Sequence, residues 1–267
     1  MVNLLIAAAI AAASPVAAQP QSAPEPAIFE IHDADTTIYL FGTFHALDGN
    51  PQWFDRGVRD AFEQSNELVL ETLLPEGPNA AEQLKEAMGH GPATKPSASF
   101  LATTKMAISA SRAQGMQVDN GADMVLRHAA EAEGKDVEQL ETLQFQLNMF
   151  NHLSAAAPQV PATARAGQPV GAQPMQDMSQ TMADLQSAWK RGDQSVFVQM
   201  LDLLRTGAPD TYRLMFTERN ARWADWIAAR LQTPGTVFVA VGAGHLAGKD
   251  SVLVRLAEKG IPSQRVY

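Results

Sequence analysis

Two apolar runs of the chain, Ile38-Tyr39-Leu40-Phe41 and Val237-Phe238-Val239-Ala240-Val241, each end in a glycine turn that closes on a histidine. The first leads into Gly42-Thr43-Phe44-His45, the second into Gly242-Ala243-Gly244-His245. A third run, Leu68-Val69-Leu70, leads directly into Glu71. Short apolar runs without polar alternation read as strands buried on both faces, the mark of a parallel sheet covered by helices. In open α/β sheets, ligands bind beyond the carboxyl ends of the strands, which is where these three titratable groups fall. The glycines allow the sharp turn and close backbone approach that fold a histidine back over the sheet edge.

The remaining pattern predicts one α/β domain. Ile28 to Ile31 and Thr37 to Phe41 are β-rich, and His32-Asp33-Ala34-Asp35 between them reads as a hairpin turn. Pro51 to Ser65 has helical spacing, with Trp53, Phe54, Val58 and Phe62 on one face. Residues 75–100 read as a Pro- and Gly-rich loop holding a short helix, followed by a helix to about 114. Helices are also expected at Asp123 to Glu133, closed by Gly134, and at Thr142 to Leu153. Lys135 to Leu140 reads as a strand. Residues 154–178, dominated by Ala, Pro, Gln and Gly, read as a flexible loop. Helices then follow at about 179–191, 194–206 and 209–232. The chain finishes with the strand Thr236 to Val241, a helix Lys249 to Lys259 and a last strand at Gln264 to Tyr267. The sheet is therefore expected to form from the N- and C-terminal thirds, with a helical insertion at about 100–232.

Composition narrows the partners. A net charge of −9 without a basic stripe disfavours nucleic acid and anionic membrane surfaces. With no cysteine among 267 residues there is no disulfide, no thiolate nucleophile and no Cys-held zinc. The uncharged leader at residues 1–18, with an apolar run from Leu4 to Ala13 and small residues before Gln19, reads as a signal peptide cleaved near Ala18. The mature domain at 19–267 is then expected to be periplasmic or secreted, with no integral membrane span.

Two imidazoles and a carboxylate suit a divalent metal with open positions, and the same groups without metal suit a general base and its electrostatic partner. Gly242 to Lys249 does not make a phosphate loop, since its glycine spacing is one residue too long and Asp250 replaces the required Ser or Thr. His32, His90, His128 and His152 read as ordinary surface or packing residues. Met116, Met124 and Met149 read as core or groove lining, and Trp223 and Trp226 as packing.

At these motifs the chain resembles the TraB/GumN family, which includes the Tiki-type metalloproteases. Gly42-Thr43-Phe44-His45, Glu67-Leu68-Val69-Leu70-Glu71 and Val241-Gly242-Ala243-Gly244-His245-Leu246 carry the likeness. Gly134 to Thr142, with Gln146 following, and Glu218-Arg219-Asn220-Ala221-Arg222-Trp223 extend it, in collinear order over roughly residues 28–267. The resemblance implies an EreA/ChaN-like mixed sheet with a helical insertion. It also implies His45, His245 and Glu71 as metal ligands, with Glu71 catalytic and Glu141 and Arg219 as second-tier catalytic candidates. Each of the latter has a plain alternative: Glu141 as the cap of the following helix, and Arg219, like Asn220, as a buried structural partner.

The function expected from these readings is exported metal-dependent hydrolysis of peptide or amide bonds, with Mn, Co or Zn as the metal and a peptide or small molecule as substrate. A non-enzymatic protein that sequesters a peptide, metal or haem is the first alternative. A metal-free hydrolase of the erythromycin-esterase type, using His and Glu, is the second.

Overall fold

The structure, a computed structural model, describes residues 25–89, 109–156 and 172–267. The expected signal peptide, His90 and most of the helix expected from about 100 lie outside these residues. Strands β1 (Ile28–His32) and β2 (Thr36–Thr43) form the expected antiparallel hairpin, in which the Asp33 carboxylate accepts from the Asp35 and Thr36 amides. After a 3-10 turn at Pro51–Trp53 comes helix α1 (Arg56–Gln64). The single helix expected over Pro51 to Ser65 is thus divided. The break falls where Asp55 caps the helix and Arg56 takes a φ of +40°. Trp53, Phe54, Val58 and Phe62 are nonetheless all buried, as their spacing predicts.

Strand β3 (Glu67–Leu70) and helix α2 (Ala80–Gly89) follow, then α3 (Ala122–Glu133), β4 (Asp136–Gln139) and α4 (Leu143–Ala156). Next come α5 (Ala172–Lys190), α6 (Ser195–Gly207), the single turn α7 (Pro209–Tyr212), a π turn at Arg213–Thr217 and α8 (Glu218–Arg230). Strand β5 (Gly235–Gly242), α9 (Val252–Glu258) and β6 (Gln264–Arg265) complete the chain. Gly134 ends α3 in the left-handed conformation, as its position predicts. The segment expected to be loose at 154–178 is helical at both ends, because α4 runs to Ala156 and α5 begins at Ala172. Ala, Gln and Met favour helix there. Residues 157–171 lie outside the described set.

The six strands form one mixed sheet in the order β4-β3-β5-β2-β1-β6. Four consecutive members, β4, β3, β5 and β2, are parallel, and β1 and β6 add antiparallel pairs at the edge opposite β4. The N- and C-terminal thirds supply five strands, and β4 is the contribution of the helical middle. Alternate residues of each inner strand enter opposite cores. Tyr39, Phe41, Phe238 and Ala240 face the larger layer with Trp53, Phe62, Leu126 and Trp189. Ile38, Leu40, Val237, Val239 and Val241 face Trp223, Ile227, Val252 and Leu256 on the other side. Burial on both faces explains why these runs read as continuously apolar.

Candidate active site

The strand register gathers the sequence-named groups at one edge. Thr43 pairs with Gly242 and Leu70 with Ala240, so β2, β3 and β5 end together. The ladder continues one step further, where the Glu141 amide donates to the Glu71 carbonyl at 2.9 Å. His45, Glu71, Glu141 and His245 are therefore all delivered by the carboxyl ends of parallel strands, and Arg219 reaches them from the first turn of α8.

Arg219 organises the floor of the site. Its Nε donates to Glu141 Oε2 at 2.9 Å and its Nη2 to Glu71 Oε2 at 2.7 Å. Its Nη1 reaches the Met215 carbonyl at 3.3 Å and His245 Nε2 at 3.2 Å, and its guanidinium lies 4.5 Å from the centre of the Trp223 ring. Only 4 % of the side chain is exposed, so this cation is held by two carboxylates away from bulk water. Arg222 Nη2 donates to Glu141 Oε1 at 3.2 Å and completes that carboxylate's set. Arg219 is thus the buried ion-pair partner that its plain alternative describes, and its partner Glu141 is held by two arginines, while it is the Thr142 hydroxyl that accepts from the Phe145 amide at the start of the next helix. The π turn directly before α8 places the Met215 carbonyl under the guanidinium; such bulges recur at functional sites.

His245 is locked in one neutral tautomer. Asn220 Nδ2 donates to the Asp250 carbonyl at 2.7 Å, which turns Asn220 Oδ1 toward His245 Nδ1 at 2.6 Å. The proton therefore sits on Nδ1, and Nε2 accepts from Arg219. Burial, with the Arg219 and His45 charges adding to it against Glu71, pushes the His245 pKa down to about 3. Burial works against an ionised Glu71, but His245, Arg219, His45 and the Gly242 amide hold its pKa down at about 2. That amide donates to Glu71 Oε1 at 2.6 Å.

His45 is held differently. Its Nδ1 lies 3.0 Å from Oδ1 of Asp123, a residue in the first turn of α3. The helix is fastened to the histidine turn by the Ala122 amide, which donates to the Phe44 carbonyl at 3.0 Å. Gly121 makes the approach possible, since a Cβ there would overlap the His45 carbonyl. The ring is 61 % exposed, toward the cavity described below. Desolvation at the sheet edge opposes the charge of His45, but the charge and hydrogen bond of Asp123, with the Glu71 charge, raise its pKa to about 9.

His45 and Glu71 converge in front of Gly242. A Cβ on Gly242 would stand 3.1 Å from Glu71 Oε1 and 3.2 Å from His45 Nε2. The φ of −51° at this glycine is ordinary for any residue, so the missing side chain matters here for the space it leaves. His245 turns its Cδ2 carbon toward the same point, at 3.6 Å.

This geometry bears on the expected metal set. Both nitrogens of His245 are engaged, by Asn220 and Arg219, and both oxygens of Glu71 are engaged, by Arg219 and the Gly242 amide. Among the described residues, no group of three or more His, Asp or Glu side chains is arranged to hold a metal ion. In this arrangement His45, His245 and Glu71 do not fit a shared divalent cation. The space between Glu71, Glu141 and His245 is filled by the Arg219 guanidinium instead. The sequence places these residues together, but it does not show which edge of an imidazole faces which neighbour.

Above the floor lies a cavity of about 560 Å³, with His45, Glu71, Asp123, Arg219 and His245 among its lining residues. Its walls come from α3, α4, α5, α6, the π turn and the turn after β2, chiefly through Phe and Met side chains such as Phe44, Met124, Phe150, Met182, Phe197 and Met215. Met124 thus lines the groove, whereas Met116 and Met149 are core. Trp189 fixes one wall to the sheet by donating from Nε1 to the Gly42 carbonyl at 2.6 Å. His32, His128 and His152 are exposed and stand apart from the cavity lining. Sequence reasoning did not single out Asp123, which carries no local signal beyond its place in a helical first turn, nor the space at Gly242.

Comparison with known proteins gives one result. The family model described as the TraB/PrgY/gumN family matches residues 27–96 and 78–265. No curated protein and no solved structure matches the chain.

Proposed function

The chain belongs to the TraB/PrgY/gumN family, and on that premise we propose that it is a hydrolase of ester or amide bonds that works through His45 without a bound metal. The observation that carries this reading is the pairing of His45 Nδ1 with Asp123, which leaves Nε2 to act at the point beside Gly242 where Glu71 Oε1 also converges. A carboxylate that holds one imidazole nitrogen fixes the tautomer and leaves the other nitrogen to act as base.

In the proposed reaction, neutral His45 takes a proton on Nε2 from a water held against Glu71 Oε1. The water oxygen bonds to the substrate carbonyl carbon. The tetrahedral intermediate expels the alcohol or amine, which takes the proton back from Nε2 and leaves the carboxylic acid. Glu71, ionised and fixed by the Gly242 amide, orients the water and favours the imidazolium that forms. Arg219, His245, Asn220 and Glu141 are positioning residues that hold Glu71 and the strand ends in register.

The expected metal-dependent chemistry, with Mn, Co or Zn, is disfavoured by the engagement of both His245 nitrogens and by the Arg219 guanidinium that stands between Glu71, Glu141 and His245. The test is turnover of a panel of neutral aryl esters and amides by the purified protein and by His45→Gln. Turnover that falls at least a hundredfold in a folded His45→Gln protein supports the reading. Equal turnover by both proteins contradicts it, and tight ligand retention without turnover by either favours the sequestering alternative.

A further inference from the structure

The walls of the cavity carry information about substrate that its floor does not. All the charged groups that line it are already paired. Arg219 is held by Glu71 and Glu141, and His45 by Asp123. Arg127 reaches Glu131 at 2.8 Å, Glu76 at 3.6 Å and the Leu74 carbonyl. Among the described lining residues, each cation already has a carboxylate beside it, so a carboxylate or phosphate headgroup would meet no uncompensated positive charge. The walls likewise offer few polar atoms along their length, and a peptide backbone needs a partner for each buried amide and carbonyl.

What the walls do offer is flexible apolar surface. Met124, Met182, Met200 and Met215 contribute unbranched, polarizable side chains that mould to an irregular or mobile ligand. Leu74, Val118 and Met200 belong to the same lining and are 39 %, 53 % and 37 % exposed. The apolar lining thus continues out to solvent, as in a surface built to admit an apolar ligand. Polar groups are concentrated at the floor, where one carbonyl would meet the water that His45 Nε2 activates.

We propose that the cavity accepts an uncharged ester or amide bearing a flexible aliphatic chain, with the chain along the methionine-rich walls and the carbonyl on the floor beside His45 and Glu71. The fate of the carbonyl rests on the hydrolase reading; the selection of a neutral aliphatic chain rests on the walls alone. This chemistry separates such a substrate from a charged peptide and from a free fatty acid, whose carboxylate would find no unpaired cation.

The test measures binding apart from turnover, so that the two readings fail separately. Calorimetric affinities would be taken for N-alkylacetamides from butyl to dodecyl and for alkyl carboxylates of matching length. Burying one methylene is worth about fourfold in affinity. The amide series should therefore tighten by about fourfold per added carbon until the cavity is filled, with the carboxylates weaker by tenfold or more at each length. Met200→Asp, at the partly exposed end of the lining, should flatten the dependence on chain length while the melting temperature stays within a few degrees. Affinities independent of chain length, or carboxylates that bind as well as the amides, would overturn the proposal. In that event any turnover seen with short esters would still stand for the hydrolase reading. Steep chain-length dependence with no turnover of any ester would retain the binding proposal and remove the hydrolase.

Discussion

His45 Nδ1 and Asp123 Oδ1 lie 3.0 Å apart, joining the end of strand β2 to the first turn of helix α3 across 78 positions of chain. This contact leaves Nε2 of His45 as the one imidazole nitrogen of the site that is free to meet a water. The other histidine has both nitrogens occupied.

Asp123→Asn tests that pairing. Asp123 is the main group that raises the His45 pKa to about 9, so its neutral replacement should move the inflection of the pH–rate curve toward the ordinary imidazole value near 6.5. The loss should appear in kcat more than in KM, because Asp123 orients the base. An unchanged inflection in a folded variant would count against the dyad.

Gly242→Ala tests the space in front of the base. The new methyl would stand 3.1 Å from Glu71 Oε1 and 3.2 Å from His45 Nε2, on a backbone whose φ of −51° suits alanine. Turnover should fall by about a hundredfold, the scale of losing a positioned proton transfer. The melting temperature should fall by a few degrees as Glu71 and His45 shift to admit the methyl, so turnover is compared on folded protein. Retained activity would mean that the water is not held there.

Arg219→Ala should be costly for the fold. It leaves Glu71 a buried carboxylate without its cation and Glu141 with Arg222 alone, a loss on the order of 3–5 kcal/mol. In a chain of this size that corresponds to a fall in melting temperature on the order of 10 °C. Arg219→Lys should rescue only part of it, because an ammonium cannot serve Glu71, Glu141 and His245 in the geometry of the planar fork. A melting temperature within 2 °C of the parent, as for an exposed pair, would contradict the organising role.

The stability of the protein should also depend on pH in a directed way. The folded pKa of His245 is depressed to about 3, so its contribution is present above the unfolded value near 6.5 and is lost as pH falls through about 3. Glu71, depressed to about 2, adds a loss that begins below the unfolded carboxylate value near 4.5. His45 has the opposite sign: its raised pKa stabilises fully below about 6.5, and that gain is lost as pH rises through about 9. Denaturant midpoints should therefore be highest near pH 6.5 and decline on both sides. His45→Gln should flatten the alkaline limb and leave the acid limb in place. An alkaline limb of the same slope in that variant would rule out His45 as its source.

How much of this was legible in the sequence varies by residue. The β2 and β5 runs showed through because strands buried on both faces must be apolar throughout, and the glycine turns marked where each strand ends. Those features place His45, Glu71 and His245 at one sheet edge, as observed. The orientation of His245 was not legible, because it is fixed by Asn220 and Arg219 from α8, whose packing against β5 is a tertiary fact. For that reason the described residues show no group arranged for the expected metal. Asp123 was hidden in the same way, since an acidic residue in a helical first turn is ordinary in itself. The Pro- and Ala-rich composition of 154–178 concealed helix at both ends, where Ala, Gln and Met outweigh the breakers.

The most direct measurement is the pH dependence of kcat/KM for a neutral aliphatic ester, taken on protein stripped with a chelator and again after Zn, Mn or Co is restored. The account predicts a rate that rises with pH to a plateau above about 9, as His45 loses its proton, with stripped and restored protein giving the same curve. Activity that disappears on stripping and returns with one of the metals would contradict it, and would mean that Arg219 gives way to a cation at the strand ends.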